Sequence, residues 1–279
     1  MKIQNHWLSA TTQSEQIVKD KSPNVGAKFR ENLLDMIVIH YTAGSSLDSS
    51  VNWLKNKAAK ASAHLVIGKS GKIVQLVPFD TIAWHAGKSK WFGREGLNAF
   101  SIGIELDNAG LLQKRNSGYY THFGKKVNDN NVVFATHKHN DEEQAWEAYT
   151  EKQLEMLEKV CLLLKSTYAL QEMVGHEDIA KGRKTDPGPA FPMGMMYQKI
   201  MEGRAGSSDV QDDNHQTSFD GLVKASKLNV REKPNTDADK IAWLPQSKEV
   251  RVLKRKGDWY KISFSKEGWV SSKYILPKK

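Results

Sequence analysis

GHEDIAKGRKTDPGPAF, residues Gly175 to Phe191, places a histidine, a carboxylate and a lysine within one short stretch. Pro187 and Pro189 fix their own φ and bias the residues before them toward extended geometry, so Thr185 to Phe191 is expected to be non-helical. On an extended chain Lys184 and Asp186 share one face while Arg183 and Thr185 take the other. His176 and Asp186 are too far apart for one helical turn, but a loop that doubles back can bring them together. A metal site beside a positive charge is one reading, and its third ligand must come from elsewhere in the chain.

Outward from this stretch, MIVIH (Met36 to His40) is an apolar, β-branched run that reads as a buried strand, and HYTAGSS after it reads as a loop. Ligands of open α/β sheets gather where strands end, so His40 is a candidate ligand; a structural histidine is the plainer alternative. In SIGIELDNAG, Ser101 to Gly110, Ile102, Ile104 and Leu106 alternate with Gly103 and Glu105. A glutamate on the second face of a covered sheet needs a reason: general-base duty is one, a salt bridge another. Between these runs, Ser49 to Ala61 reads as a helix with a serine cap, and SAHLVIGKSGKIVQLVP as a hairpin turning at Lys69 to Gly71. His64, inside the first hairpin strand, reads as a hydrogen-bonded framework residue. AWHAG follows, and an exposed Trp84 and His85 there would suit sugar or peptide binding, with a buried tryptophan as the alternative. Asp107 to Tyr149 reads as a long polar loop whose His122, His137 and His139 are solvated. Tyr149 to Tyr168 is a helix capped by Thr150, with Leu154, Leu157, Cys161 and Leu164 on its apolar side, where Cys161 packs.

Composition bounds the rest. The 279 residues are 39% hydrophobic, enough for a packed core. A mean hydropathy of -0.58, with no apolar run near membrane-spanning length, excludes a spanning helix. The first twenty residues have no apolar core and do not read as a signal peptide. Net charge is +9, and Phe219 to Lys279 carry fifteen Lys and Arg against seven Asp and Glu, a balance of +8. A nearly neutral large domain is therefore followed by a basic module suited to an anionic partner.

Taken together, VIHYTAG, SAHLVIGKSGKIVQLVPFDTIAWHAG, SIGIEL, EAYTEKQ and GHEDIAKGRKTDPGPAF resemble the type 2 N-acetylmuramoyl-L-alanine amidases, the superfamily of the peptidoglycan recognition proteins and the AmpD and AmiD enzymes. The resemblance covers about Met36 to Ile200. It implies an α/β fold, a central mixed β-sheet flanked by helices, with one Zn2+ in a groove. Position by position, it implies His40, His176 and Asp186 as zinc ligands, Glu105 as the catalytic glutamate and Lys184 as the lysine beside the metal. It implies hydrolysis of the amide between the lactyl group of N-acetylmuramic acid and L-alanine of the stem peptide.

The residue chemistry agrees: two histidines and a carboxylate make a three-ligand zinc site with an open position, the catalytic rather than the structural arrangement. After a short helix, about Met195 to Met201, the segment 203–218 reads as a linker. The tail, with LNVR, GDWYKI and GWV, resembles the bacterial SH3 domain, a small all-β barrel. Its Trp243, Trp259 and Trp269 either bind wall polymer or fill the barrel core. The expected organisation is an extension 1–35, an amidase domain 36–202, the linker, and a wall-binding module 219–279. The expected partners are peptidoglycan and muropeptides, with no nucleic acid, no membrane span and a monomeric chain. Action outside the cytoplasm, in periplasm or wall, is expected, with cytoplasmic residence until release or delivery as the alternative. A non-catalytic peptidoglycan receptor would lack a ligand that this chain has, and no nucleic-acid recognition motif is present.

Overall fold

Six strands make the sheet of the larger unit: β1 (Ile17–Lys19), β2 (Met36–Tyr41), β3 (Leu65–Ile67), β4 (Ile73–Gln75), β5 (Ser101–Leu106) and β6 (Glu172–Gly175). Their order is β6-β2-β5-β3-β4-β1. All neighbours run parallel except the β3–β4 hairpin, so the sheet is mixed, as expected. Residues 36–40 of β2 are buried without a break, the pattern of a strand covered on both faces. The hairpin turns where expected: Gly68 N donates to Lys72 O at 2.8 Å, and Gly71 takes a φ of +85°, open to glycine without strain.

The computed structural model describes residues 1–201, 219–256, 259–263, 267–271 and 275–277. The chain divides into Met1–Ser89 with Gly96–Met196, and Lys90–Glu95 with Tyr197–Lys279. The segment expected as an extension before Met36 supplies β1, which pairs with β4 at the sheet edge, and the fully buried Leu8. The expected linker 203–218 lies outside the described residues.

Helix α1 is Leu47–Lys55, shorter and earlier than the expected Ser49 to Ala61. Its cap is Ser46, whose hydroxyl accepts from Ser49 N at 3.2 Å. It stops because Asn56 turns extended and its side chain starts a separate 3-10 turn, Lys57–Ala59. Val51 and Leu54 pack with Ala63, Val66, Val74 and Leu76 against one face of the hairpin. Helix α2 is Glu151–Tyr168, capped by Thr150. It buries Leu157, Val160, Cys161 and Leu164, spaced three to four apart as a helical stripe requires, and also Gln153. The Gln153 amide donates to Ile67 O and Asp107 O at 2.8 and 3.2 Å, tying the helix to the ends of β3 and β5. Two further helices follow, α3 (His176–Ile179) and α4 (Met193–Met201).

The stretch 107–149 is not the loop expected from its polarity. It forms two antiparallel hairpins, Gln113–Arg115 with Gly118–Tyr120 and Val132–Thr136 with Glu143–Glu147. The apolar residues buried here are few, Ala109, Leu112, Val127, Ala145 and Trp146, so apolar periodicity is weak.

From Phe219 on, the described residues of the second unit form strands and turns. Its strands are β7 (Phe219–Val223), β8 (Lys227–Arg231), β9 (Lys240–Pro245), β10 (Glu249–Lys256), β11 (Trp259–Ser263), β12 (Glu267–Ser271) and β13 (Ile275–Pro277). They form one antiparallel sheet of order β9-β8-β12-β11-β10-β7-β13. Its core is aliphatic, from Val223, Leu228, Val230, Leu244, Val252, Ile262 and others, with Tyr260 the aromatic member. Tryptophans do not fill it: Trp243 is 56% exposed and carries the Lys227 ammonium 5.1 Å from its ring centroid.

Candidate metal centre

Parallel pairing sets Glu105 opposite His40 and Gly175 opposite Ile39. The ends of β5, β2 and β6 are therefore level at one edge of the sheet, the edge where ligands of such sheets bind. His40 lies near the end of β2, and His176 opens α3 directly after β6. The chain then doubles back, and Asp186 O accepts from Glu177 N at 2.8 Å. Three buried atoms converge. His40 Nδ1 lies 3.0 Å from His176 Nδ1 and 3.0 Å from Asp186 Oδ2, and His176 Nδ1 lies 2.9 Å from the same oxygen. They have the spacing of a three-ligand metal site.

The protonation states suit that use. Burial, reinforced by the neighbouring His176, pushes His40 down to about 4, so its ring is neutral and has a lone pair to give. Burial would raise Asp186, but the close approach of His176 and His40 outweighs it and holds the carboxyl well below the usual range. Glu105 goes the other way. Burial and the Asp186 charge raise it to about 8, with Lys184 offsetting part of the rise. Its Oε2 is buried without a hydrogen-bond partner. A buried carboxylate oxygen left unpaired is costly, and the cost is expected where a proton must be exchanged.

These groups line a cleft of about 690 Å³. Arg183 to Asp186 all reach it, not only the pair Lys184 and Asp186 expected to share a face. Thr185 Oγ1 is 2.7 Å from Tyr41 Oη, and Arg183 donates to Ala86 O and Lys88 O at 3.0 and 2.8 Å. Trp84, 36% exposed, is on the cleft wall. His85 is not exposed. Its ring is buried, with Nδ1 3.0 Å from His40 Nε2, because it fills a slot over Gly103, where an added Cβ would come within 2.3 Å of it. His64 is a framework residue: its Nδ1 accepts from Gly103 N at 3.0 Å, and its Nε2 donates to Thr81 O at 2.9 Å.

Of the loop histidines, His122 is exposed on the cleft rim. His137 is buried instead, with Nε2 2.5 Å from Glu177 Oε2, while Lys138 bridges Glu177 and Asp178 at 2.9 and 2.8 Å. Sequence reading missed Arg183, Asn98 and Ser101 as neighbours of the centre. One signal was available: Gly103, an otherwise unfavourable residue in the middle of a strand, which marks a close approach.

A mixed α/β sheet that brings two histidines, an aspartate and an unpaired glutamate to one strand-end cleft defines the class: an α/β protein with a candidate metal centre beside a proton-transferring carboxylate. The sequence profile of the N-acetylmuramoyl-L-alanine amidases matches residues 30–189, and the chain belongs to that family. The bacterial SH3 domain profile matches residues 226–275. The 1,6-anhydro-N-acetylmuramyl-L-alanine amidase AmpD of Escherichia coli K12 is 40% identical over 134 residues, covering 47% of this chain and 54% of that protein. The N-acetylmuramoyl-L-alanine amidase AmiD of the same strain is 34% identical over 176 residues, covering 60% and 53%. The chain thus spans about half the length of these curated relatives. The solved structure of Escherichia coli AmiD with anhydro-N-acetylmuramic acid-L-Ala-D-γ-Glu-L-Lys aligns at a TM-score of 0.47 and 29% identity, covering 67% of this chain and 70% of that one. Among the described residues no helix is long and apolar enough to cross a membrane.

Proposed function

We propose that this chain is a zinc-dependent N-acetylmuramoyl-L-alanine amidase that cleaves the amide between the lactyl group of N-acetylmuramic acid and the L-alanine of a stem peptide. The observation that carries the reading is the buried, unpartnered Glu105 Oε2 beside three converging ligand atoms. His40, His176 and Asp186 would hold the metal, their Nδ1, Nδ1 and Oδ2 atoms being the ones that converge. Two imidazoles and one carboxylate are the donor set of catalytic zinc. A bound zinc supplies a Lewis acid for the scissile carbonyl and lowers the pKa of water to about 7.

Glu105 takes the proton of the attacking water and passes it to the leaving amine, the work of a positioned general acid–base group. Lys184 lines the cleft and faces the negative charge that develops on the carbonyl oxygen; losing one such donor costs about a hundredfold in rate. Trp84 offers an apolar face to the sugar or peptide. The basic module 219–279 binds the wall, holding the catalytic unit on insoluble substrate, where tethering raises local concentration. That arrangement favours action outside the cytoplasm.

Mass spectrometry of purified sacculi digested with the protein, with and without a chelator, tests the reading. Chelator-sensitive release of free stem peptides beginning in L-alanine is expected. Binding to sacculi without such peptides would overturn it.

A further inference from the structure

Both histidines of the centre turn their far nitrogens to a single segment. His40 Nε2 lies 3.0 Å from His85 Nδ1, and His176 Nε2 lies 3.2 Å from Ala86 O. The segment is itself clamped: the side-chain oxygen of Asn98 accepts from His85 N at 3.0 Å and from Ala86 N at 2.7 Å. Behind His85, its Nε2 is 3.3 Å from Ser101 O and 3.3 Å from Ser101 Oγ, and that hydroxyl donates to Leu97 O at 2.7 Å.

Proton counting along this chain leaves one consistent arrangement. The Ser101 hydroxyl proton is committed to Leu97 O, so both Ser101 oxygens are acceptors toward His85, and the His85 proton sits on Nε2. His85 Nδ1 is then an acceptor, and the partner that must donate to it is His40 Nε2. With its proton on Nε2, His40 has its lone pair on Nδ1, the atom facing His176 and Asp186. Hydrogen bonds to the far nitrogen are what fix the tautomer and ring orientation of a metal-binding imidazole. The backbone makes room for this: an added Cβ at Gly103 would lie 2.3 to 2.5 Å from three atoms of the His85 ring. Gly103 has ordinary strand geometry, so only the ring requires a glycine there.

We propose that His85 is a positioning residue of the metal centre, not a substrate-binding one. Through Ser101 and Leu97 it sets the tautomer of His40, and Asn98 holds the His85–Ala86 backbone that serves both histidines. The inference rests on the metal reading above and adds the residues that aim the ligands.

Zinc affinity of the purified full chain, measured by competition with a chromophoric chelator, tests it beside the thermal stability of the metal-free protein. His85→Ala is expected to weaken zinc about ten- to a hundredfold, the usual cost of losing such an outer partner. His85→Asn places an amide oxygen where Nδ1 was and is expected to recover most of the loss. Gly103→Ala, which displaces the ring, is expected to weaken zinc in the wild-type background and to add nothing once His85 is alanine. A purely structural His85 would lower the melting temperature of the metal-free protein in all variants and leave their zinc affinities within about twofold of wild type, a result that would overturn the proposal. So would an asparagine variant no better than the alanine one. If the wild-type chain takes up no zinc, the metal reading fails and this inference with it; if the wild type binds and His85→Ala binds equally well, only this inference fails.

Discussion

His176 and Glu177 are neighbours in the chain, yet their side chains belong to two buried clusters of different kinds. His176 joins His40 and Asp186, where ligand atoms converge and the nearby Glu105 Oε2 has no partner. Glu177 joins His137 and Lys138, where each of its oxygens is paired, while Asp178 takes Lys138 on one oxygen and Gly175 N on the other. Both are histidine–carboxylate clusters. What separates them is satisfaction: the second closes on itself and pins the Val132–Thr136 end of its hairpin to α3, while the first leaves donor atoms facing one point and a carboxyl poised to titrate.

Substitutions can break that contrast. Asp186→Ala is expected to have the largest effect, abolishing both zinc uptake and stem-peptide release, because two neutral imidazoles alone make a poor centre. Metal analysis checks it, and full zinc in this variant would remove Asp186 from the ligand set. Glu105→Gln should keep full zinc yet lose hydrolysis by about a hundred- to ten-thousandfold, the range for a general acid–base group; single-turnover assays on a muropeptide decide it. In the closed cluster the outcome should invert. Glu177→Ala is expected to retain zinc stoichiometry but lose about 1–3 kcal/mol of stability in denaturant unfolding, since it leaves the buried His137 Nε2 without its partner while Lys138 keeps Asp178.

The smallest effect sharpens the contrast by pH. Burial lowers His40 and His64 to about 4, below their ordinary 6.5. Between those values the unfolded chain binds protons that the folded chain refuses, so stability falls as pH drops from 6.5 toward 4. Thermal melts of the metal-free protein across that window should show the loss, and a flat profile would mean that these rings are not held neutral.

How much was legible follows from where the information sat. β2 and β5 announce themselves by short apolar runs, and His40, Glu105, His176 and Asp186 lie in or beside such runs and a proline-stiffened loop. The burial of His85 is not legible in the sequence because it depends on Gly103, in a strand that follows it in the chain, and on no property of AWHAG itself. His137 looked solvated because its partner, Glu177, is 40 positions away. β1 was invisible since a three-residue edge strand with two exposed positions carries no periodic signal. The hairpins within 107–149 are hidden for the same reason: the strands of the first bury no residue, and those of the second bury only Ala145, Trp146 and Glu147.

The ligand atoms of His40 and Asp186 meet across 146 positions of chain, and the strands between them pair mostly without hairpin turns. Such long-range parallel pairing forms slowly and late. During synthesis, then, no truncated chain ending before Asp186 can present the complete centre. Zinc capture by the proposed centre would then record that the chain has been made through Asp186 and folded, and a nascent chain would stay chemically silent.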